Sequence, residues 1–118
     1  MHGVPANLDL TRFIDATLEQ ICIGQYQVQF HFDPVVSISV EGDWKLHGPD
    51  GNVVDQNQDN VARQAYRLHQ LLGKRVVRAS VDPPRSLALY FESGQELWVF
   101  DNSEQFESFS IQPGDIFV

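Results

Sequence analysis

Cysteine, basic side chains and long apolar runs are all scarce in this chain, and each scarcity removes a class of protein. The single cysteine among 118 residues, Cys22, cannot form an intramolecular disulfide, and no Cys/His spacing of a zinc site occurs. No apolar run approaches the ~20 residues that a membrane helix needs, and the first ten residues lack the basic start and apolar middle of a signal peptide. These features point to the cytoplasm and away from the membrane. Eight bases against sixteen acids give a net charge of −8, which opposes binding to nucleic acid or to an anionic lipid surface, since both need positive charge. What remains is 42% hydrophobic residues in a length that suits one domain with a core of its own.

The acids and bases are segregated. From 1 to 60 the chain carries nine acids against Arg12 and Lys45. From 61 to 91 six bases face only Asp82, and from 92 to 118 six acids face none. Either the basic middle neutralises its acidic neighbours in the fold, or an acidic face is left to steer a basic partner.

Laid on itself, the chain shows an internal duplication. Leu10, Phe13, Ile14, Leu18, Ile21 and Ile23 align with Leu68, Leu71, Leu72, Val76, Ala79 and Val81. One inserted residue later, Val28, Phe30, Phe32, Ile38 and Val40 align with Leu87, Leu89, Phe91, Leu97 and Val99. A six-residue insertion then brings Trp44 and Leu46 onto Phe109 and Ile111. Two copies are too few for a solenoid, so the reading is a single domain over 1–118 with two related halves, about 8–54 and 58–118.

Each half opens with apolar residues at i, i+3 and i+4, a helical signal, and continues with period-two alternation, a strand signal. The second helix is the better marked: it starts after Asn57 or Asp59, buries Val61, Ala65, Leu68 and Leu72, and stops at Gly73. In the first half Asp15 takes the place of Gly73, which predicts a helix that is shorter or ends differently. Strands are predicted near 17–23, 26–32, 36–41, 44–47, 75–81, 86–92, 95–100 and 108–112, with a short last one at 116–118. The expected fold class is therefore α+β, mainly antiparallel β, with two β-meander halves and one main helix between them.

Opposite the apolar stripe the halves differ. The first half offers Gln27, Gln29, His31, Ser37, Ser39 and Glu41; the second offers Ser86, Ala88, Tyr90, Glu96, Trp98 and Phe100. Tyr90, Trp98 and Phe100 are either core covered by the helix or the C-terminal segment, or an aromatic patch for a protein partner or a homodimer.

Catalytic chemistry is hard to find. Cys22 sits in an apolar strand, the four histidines have no metal-ligand spacing, and the carboxylates fall at turns and helix starts. Neither a phosphate loop nor a calcium loop is complete, so no metal, no cofactor and no catalytic residue is assigned, and the chain reads as non-enzymatic.

Several segments carry a family likeness: Ile14-Asp-Ala-Thr-Leu18 with Leu71-Leu-Gly-Lys-Arg-Val76, Val28-Gln-Phe-His-Phe-Asp33, Ile38-Ser-Val-Glu-Gly-Asp-Trp44, and Phe106-Glu-Ser-Phe109. Over most of 8–112 the chain resembles a family of small uncharacterised bacterial proteins with a late Tyr/Phe-Glu-Ser-Trp/Phe box. That family implies no activity and no catalytic residues. Small acidic proteins of this kind look like immunity proteins of bacterial toxin systems, an analogy of size and charge.

The leading expectation is thus an acidic binding protein, most concretely an immunity- or antitoxin-like inhibitor that docks on a basic toxin domain. Its expected contacts are Asp101, Glu104 and Glu107 beside Phe106 and Phe109, with Glu41 and Asp43 beside Trp44 as the repeat-related counterpart. Two other readings stand next to it: a small-ligand-binding domain or weak hydrolase with a pocket between the halves lined by His31, and a structural homodimer.

Overall fold

Alternation of apolar and polar side chains becomes strand along most of this chain. The structure, a computed structural model, describes residues 4–24, 27–56, 67–101, 109–112 and 116–117. Among these the strands are β1 (Thr17–Ile23), β2 (Val28–Asp33), β3 (Val36–Val40), β4 (Trp44–His47), β5 (Val53–Gln56), β6 (Val76–Asp82), β7 (Ser86–Phe91), β8 (Glu96–Phe100), β9 (Phe109–Gln112) and β10 (Ile116–Phe117). All of their pairings are antiparallel.

The expectation of an α+β class with a main helix is corrected: the fold is antiparallel β in two sheets. The two helical signals become 3-10 turns at Thr11–Phe13 and Leu68–Leu71. The reason lies at the i+4 position of the pattern. Leu10 and Phe13, like Leu68 and Leu71, are buried and three residues apart, the spacing at which side chains eclipse in a 3-10 turn. Ile14 and Leu72, which an α-helix would have buried beside them, have extended backbone with ψ of 130° and 132° and are 38% and 43% exposed. The expected start of the second helix, including Asn57, Asp59, Val61 and Ala65, lies outside the described residues.

The first sheet has the order β1-β2-β3-β9-β10, and the second, read from its other edge, β6-β7-β8-β4-β5. The orders correspond strand for strand, with the last two strands of each half placed in the sheet of the other. Phe109 and Ile111 pair with Val40 and Ile38 in the first sheet, while Trp44 and Leu46 pair with Val99 and Leu97 in the second.

Where β1 and β6 begin, the sheets are tied by reciprocal hydrogen bonds. Leu18 N–H donates to the Lys74 carbonyl at 3.0 Å and Val76 N–H to that of Ala16 at 2.8 Å. Gly73 N–H donates to the Leu18 carbonyl and Asp15 N–H to that of Val76, both at 2.7 Å. Asp15 and Gly73 share a positive φ, 68° and 81°, so the two turns end in the same way despite the different residues.

The inner faces form one core. Leu18, Phe30, Phe32, Ile38 and Ile111 of the first sheet cluster with Trp44, Leu46, Leu87, Leu89 and Leu97 of the second, and the turns add Phe13 and Leu71. Phe13 stands edge-on to Phe32, with ring centroids 5.4 Å apart. No helix among the described residues is long and apolar enough to cross a membrane.

Candidate functional site

With the inner faces equivalent, the outer faces are where the two sheets part. On β2, β3 and β9 of the first sheet the outward residues are glutamine, serine and histidine: Gln29 lies opposite Ser39 and Ser39 opposite Ser110, while His31 lies opposite Ser37 and Ser37 opposite Gln112. His31 Nε2 meets Gln29 Oε1 at 3.2 Å. Among the described residues no carboxylate is hydrogen-bonded to it.

On the second sheet the same period brings larger side chains into rows. One row runs Arg78, Tyr90, Glu96, His47, and the next Ser80, Ala88, Trp98, Lys45. Trp98 sits at the centre, with Tyr90 edge-on at 6.3 Å and the His47 ring at 6.0 Å. Its indole N–H donates to Glu96 Oε1 at 3.0 Å, and His47 Nδ1 lies 3.8 Å from the same oxygen. The Arg78 guanidinium covers the Tyr90 ring at 4.0 Å, while the Tyr90 hydroxyl and Ser80 Oγ share a hydrogen bond of 3.0 Å. Lys45 Nζ stands 5.9 Å from the Phe100 ring.

Each polar tip is thereby occupied and the rings are held in place, which leaves an ordered aromatic surface. Tyr90, Trp98 and Phe100 are half-buried, while Ala88, between Ser80 and Trp98, is fully covered. Arg78, Lys45, Ser80 and His47 escaped the sequence reading as members of this face. The alternation of Lys45 and His47 with buried Trp44 and Leu46 was the signal that could have found the two from β4.

The remaining expected contact residues scatter. Glu41 is exposed and Asp43 half-buried on the crossover from β3 to β4, and the Asp43 carbonyl accepts the Phe100 N–H at 3.0 Å. Asp101, half-buried, follows Phe100 and donates its N–H to the Arg85 carbonyl at 2.8 Å. Trp44 and Phe109 are corrected from contact residues to core: each is 1% exposed, because each begins an inserted strand with its ring on the inner face. Glu104, Phe106 and Glu107 lie outside the described residues.

Chemistry elsewhere is sparse. Two surface grooves lie where the turn of one half meets the edge strand of the other. One, of about 340 Å³, is lined by residues that include Leu10, Ile14, Ala79 and Val81, and the other, of about 170 Å³, by Ile21, Ile23, Leu68, His69 and Leu72. Neither contains His31 or an aromatic side chain of the second sheet, although Ser80 lines the larger. Asp9, in the larger groove, is held below the usual carboxylate range by the Thr11 hydroxyl and then the Thr11 N–H, and Asp50, in the turn after β4, by the Asn52 N–H and then its side-chain amide. Both are acids of Asx turns. Among the described residues no group of three or more His, Cys, Asp or Glu could hold a metal ion.

The model of a family of unknown function, DUF6188, matches residues 10–115, nearly the whole length. The chain belongs to this family. Among curated proteins and among solved structures, nothing matches this DUF6188 chain.

Proposed function

We propose that this chain is a non-enzymatic binding protein whose contact surface is the outer face of the second sheet, centred on Trp98. The observation that carries the reading is the difference between two sheets of identical strand order. Their inner faces are constrained by one core, whereas on the outside one bears glutamine and serine and the other an ordered cluster of Tyr90, Trp98 and Phe100. Half-buried aromatic residues held by their neighbours supply large contact area at little further entropic cost, the character of an interface hot spot.

The partner that suits this surface is a basic protein. Asp43 and Asp101 border the Phe100 end of the face, the exposed Glu41 lies two residues before Asp43, and the chain as a whole carries a charge of −8. The face itself carries Arg78 and Lys45 beside Glu96, so the charge that favours a basic domain comes from the acids at the Phe100 end and from the chain as a whole, and it acts by speeding encounter. An immunity- or antitoxin-like inhibitor of a basic toxin is the most concrete form of this reading.

The test uses wild type, Trp98→Ala and the pair Glu41→Gln with Asp43→Asn. A partner isolated on the wild type from the source organism is purified and titrated against all three. Trp98→Ala is expected to weaken binding by at least about 30-fold, mostly through faster dissociation, as at a hot spot of ~2 kcal/mol. The acid variant should slow association and flatten its salt dependence. Equal affinity for wild type and Trp98→Ala overturns the reading, as does a sedimentation profile in which Trp98→Ala alone dissolves a homodimer.

A further inference from the structure

Each sheet of this molecule is shared between the halves. The first half gives β1, β2 and β3 to one sheet and β4 and β5 to the other, and the second half reciprocates with β9, β10 and β6, β7, β8. Taken alone, either half would hold a three-stranded meander with one open edge and a two-stranded ribbon with another. The pairings that close those edges join Val40 to Phe109 and Ile38 to Ile111 in one sheet, and Val99 to Trp44 and Leu97 to Leu46 in the other. All eight side chains are buried. The reciprocal hydrogen bonds between 15–18 and 73–76 follow the same exchange. Each half therefore requires a complementary half, and nothing in these contacts requires it to come from the same chain.

The two ends of the connection between the halves meet. The Arg67 N–H donates to the buried carboxylate of Asp55, so the chain leaves β5 and returns to the same point at the start of the second half. Extended, the residues between could separate the halves by on the order of 40 Å.

We propose that the half-to-half interface is an interaction surface for a second copy of this chain. Two chains exchange halves, the first half of one closing on the second half of the other, and the dimer contains two native units with the strand pairings already described. Within one chain the connection sets an effective concentration of millimolar order, so the closed monomer prevails in dilute solution and exchange prevails when a chain's own half is defective.

Intermolecular complementation between full-length chains tests this. Phe30→Asp places a charge in the core of β2, and Leu89→Asp does so in β7. Each variant alone is expected to lack the near-ultraviolet circular dichroism of the native core. Refolded together at equal concentration, they should recover up to about half the native signal and sediment as a dimer, since each pair of chains can build one intact unit. Phe30→Asp mixed with Ile38→Asp, both defective in the first half, should recover nothing. Should a single variant retain its native spectrum, the doubles Phe30→Asp/Ile38→Asp and Leu89→Asp/Leu97→Asp replace the singles. A mixture whose spectrum is the sum of its parts overturns the proposal, and so does recovery in the same-half control.

Discussion

Asp15 and Gly73 turn the chain out of their 3-10 turns through the same backbone region, at φ of 68° and 81°, by different means. Glycine reaches positive φ without steric cost, whereas aspartate tolerates it through its short polar side chain. Asp15 also meets Arg75 Nη1 at 3.0 Å. A β-carbon at Gly73 would meet no atom within 4 Å, so Gly73→Ala tests the backbone conformation alone. It should cost about 1 kcal/mol in urea unfolding, because alanine must hold a left-handed conformation. At Asp9 the Thr11 hydroxyl is the largest cause of the lowered pKa, ahead of the Thr11 N–H. Thr11→Val should therefore move the Asp9 titration, followed by NMR, upward but short of the ordinary value. Since the folded pKa lies below the unfolded one, the stabilisation from this turn is present above the ordinary aspartate range and is lost as the pH falls through the lowered value.

At the scale of the element, β4 and β9 decide the architecture, and their first residues do opposite work from what their aromatic character suggests. Trp44→Ala should cost about 3–5 kcal/mol in urea unfolding, as expected for emptying a filled core site. Trp98→Ala removes a half-buried ring and should cost about 1–2 kcal/mol in the same measurement. The contrast separates anchor from surface. Period-two alternation made most strands legible in the sequence, and comparing the halves placed Trp44 against Phe109 and Leu46 against Ile111. The turns were misread because Leu68, Leu71 and Leu72 fit a helical face as well as they fit a single turn that ends at Leu72. Strand β5 was missed because Val53-Val-Asp-Gln56 does not alternate between apolar and polar, its valine at 53 being exposed and its aspartate at 55 buried, and it is identified by pairing with β4. The aromatic face was legible as a list of residues but not as a site, since Arg78, Lys45 and His47 reach it across strands from distant parts of the sequence.

For the whole molecule, charge segregation resolves into local pairs. Arg75 of the basic middle meets Asp15 at 3.0 Å and Glu92 at 3.4 Å, and Arg85 meets Asp82 at 3.4 Å. These side chains are roughly half exposed or more, so each pair is worth about 0–1 kcal/mol. Such pairs leave the repulsion of a −8 molecule in place. Raising sodium chloride from ~0.02 M to ~0.5 M should increase the melting temperature, because screening shortens the reach of that repulsion from beyond 10 Å to a few ångströms. A lower melting temperature would mean that the arginine pairs outweigh it.

The exchange of strands also sets a timetable for synthesis. Within one chain Val36–Val40 is not covered on its open side until Phe109–Gln112 exists, so the first sheet stays unfinished until those residues have left the ribosome. At ~5–20 residues per second, its unfinished edge and the apolar side chains behind it are exposed for seconds on each nascent chain.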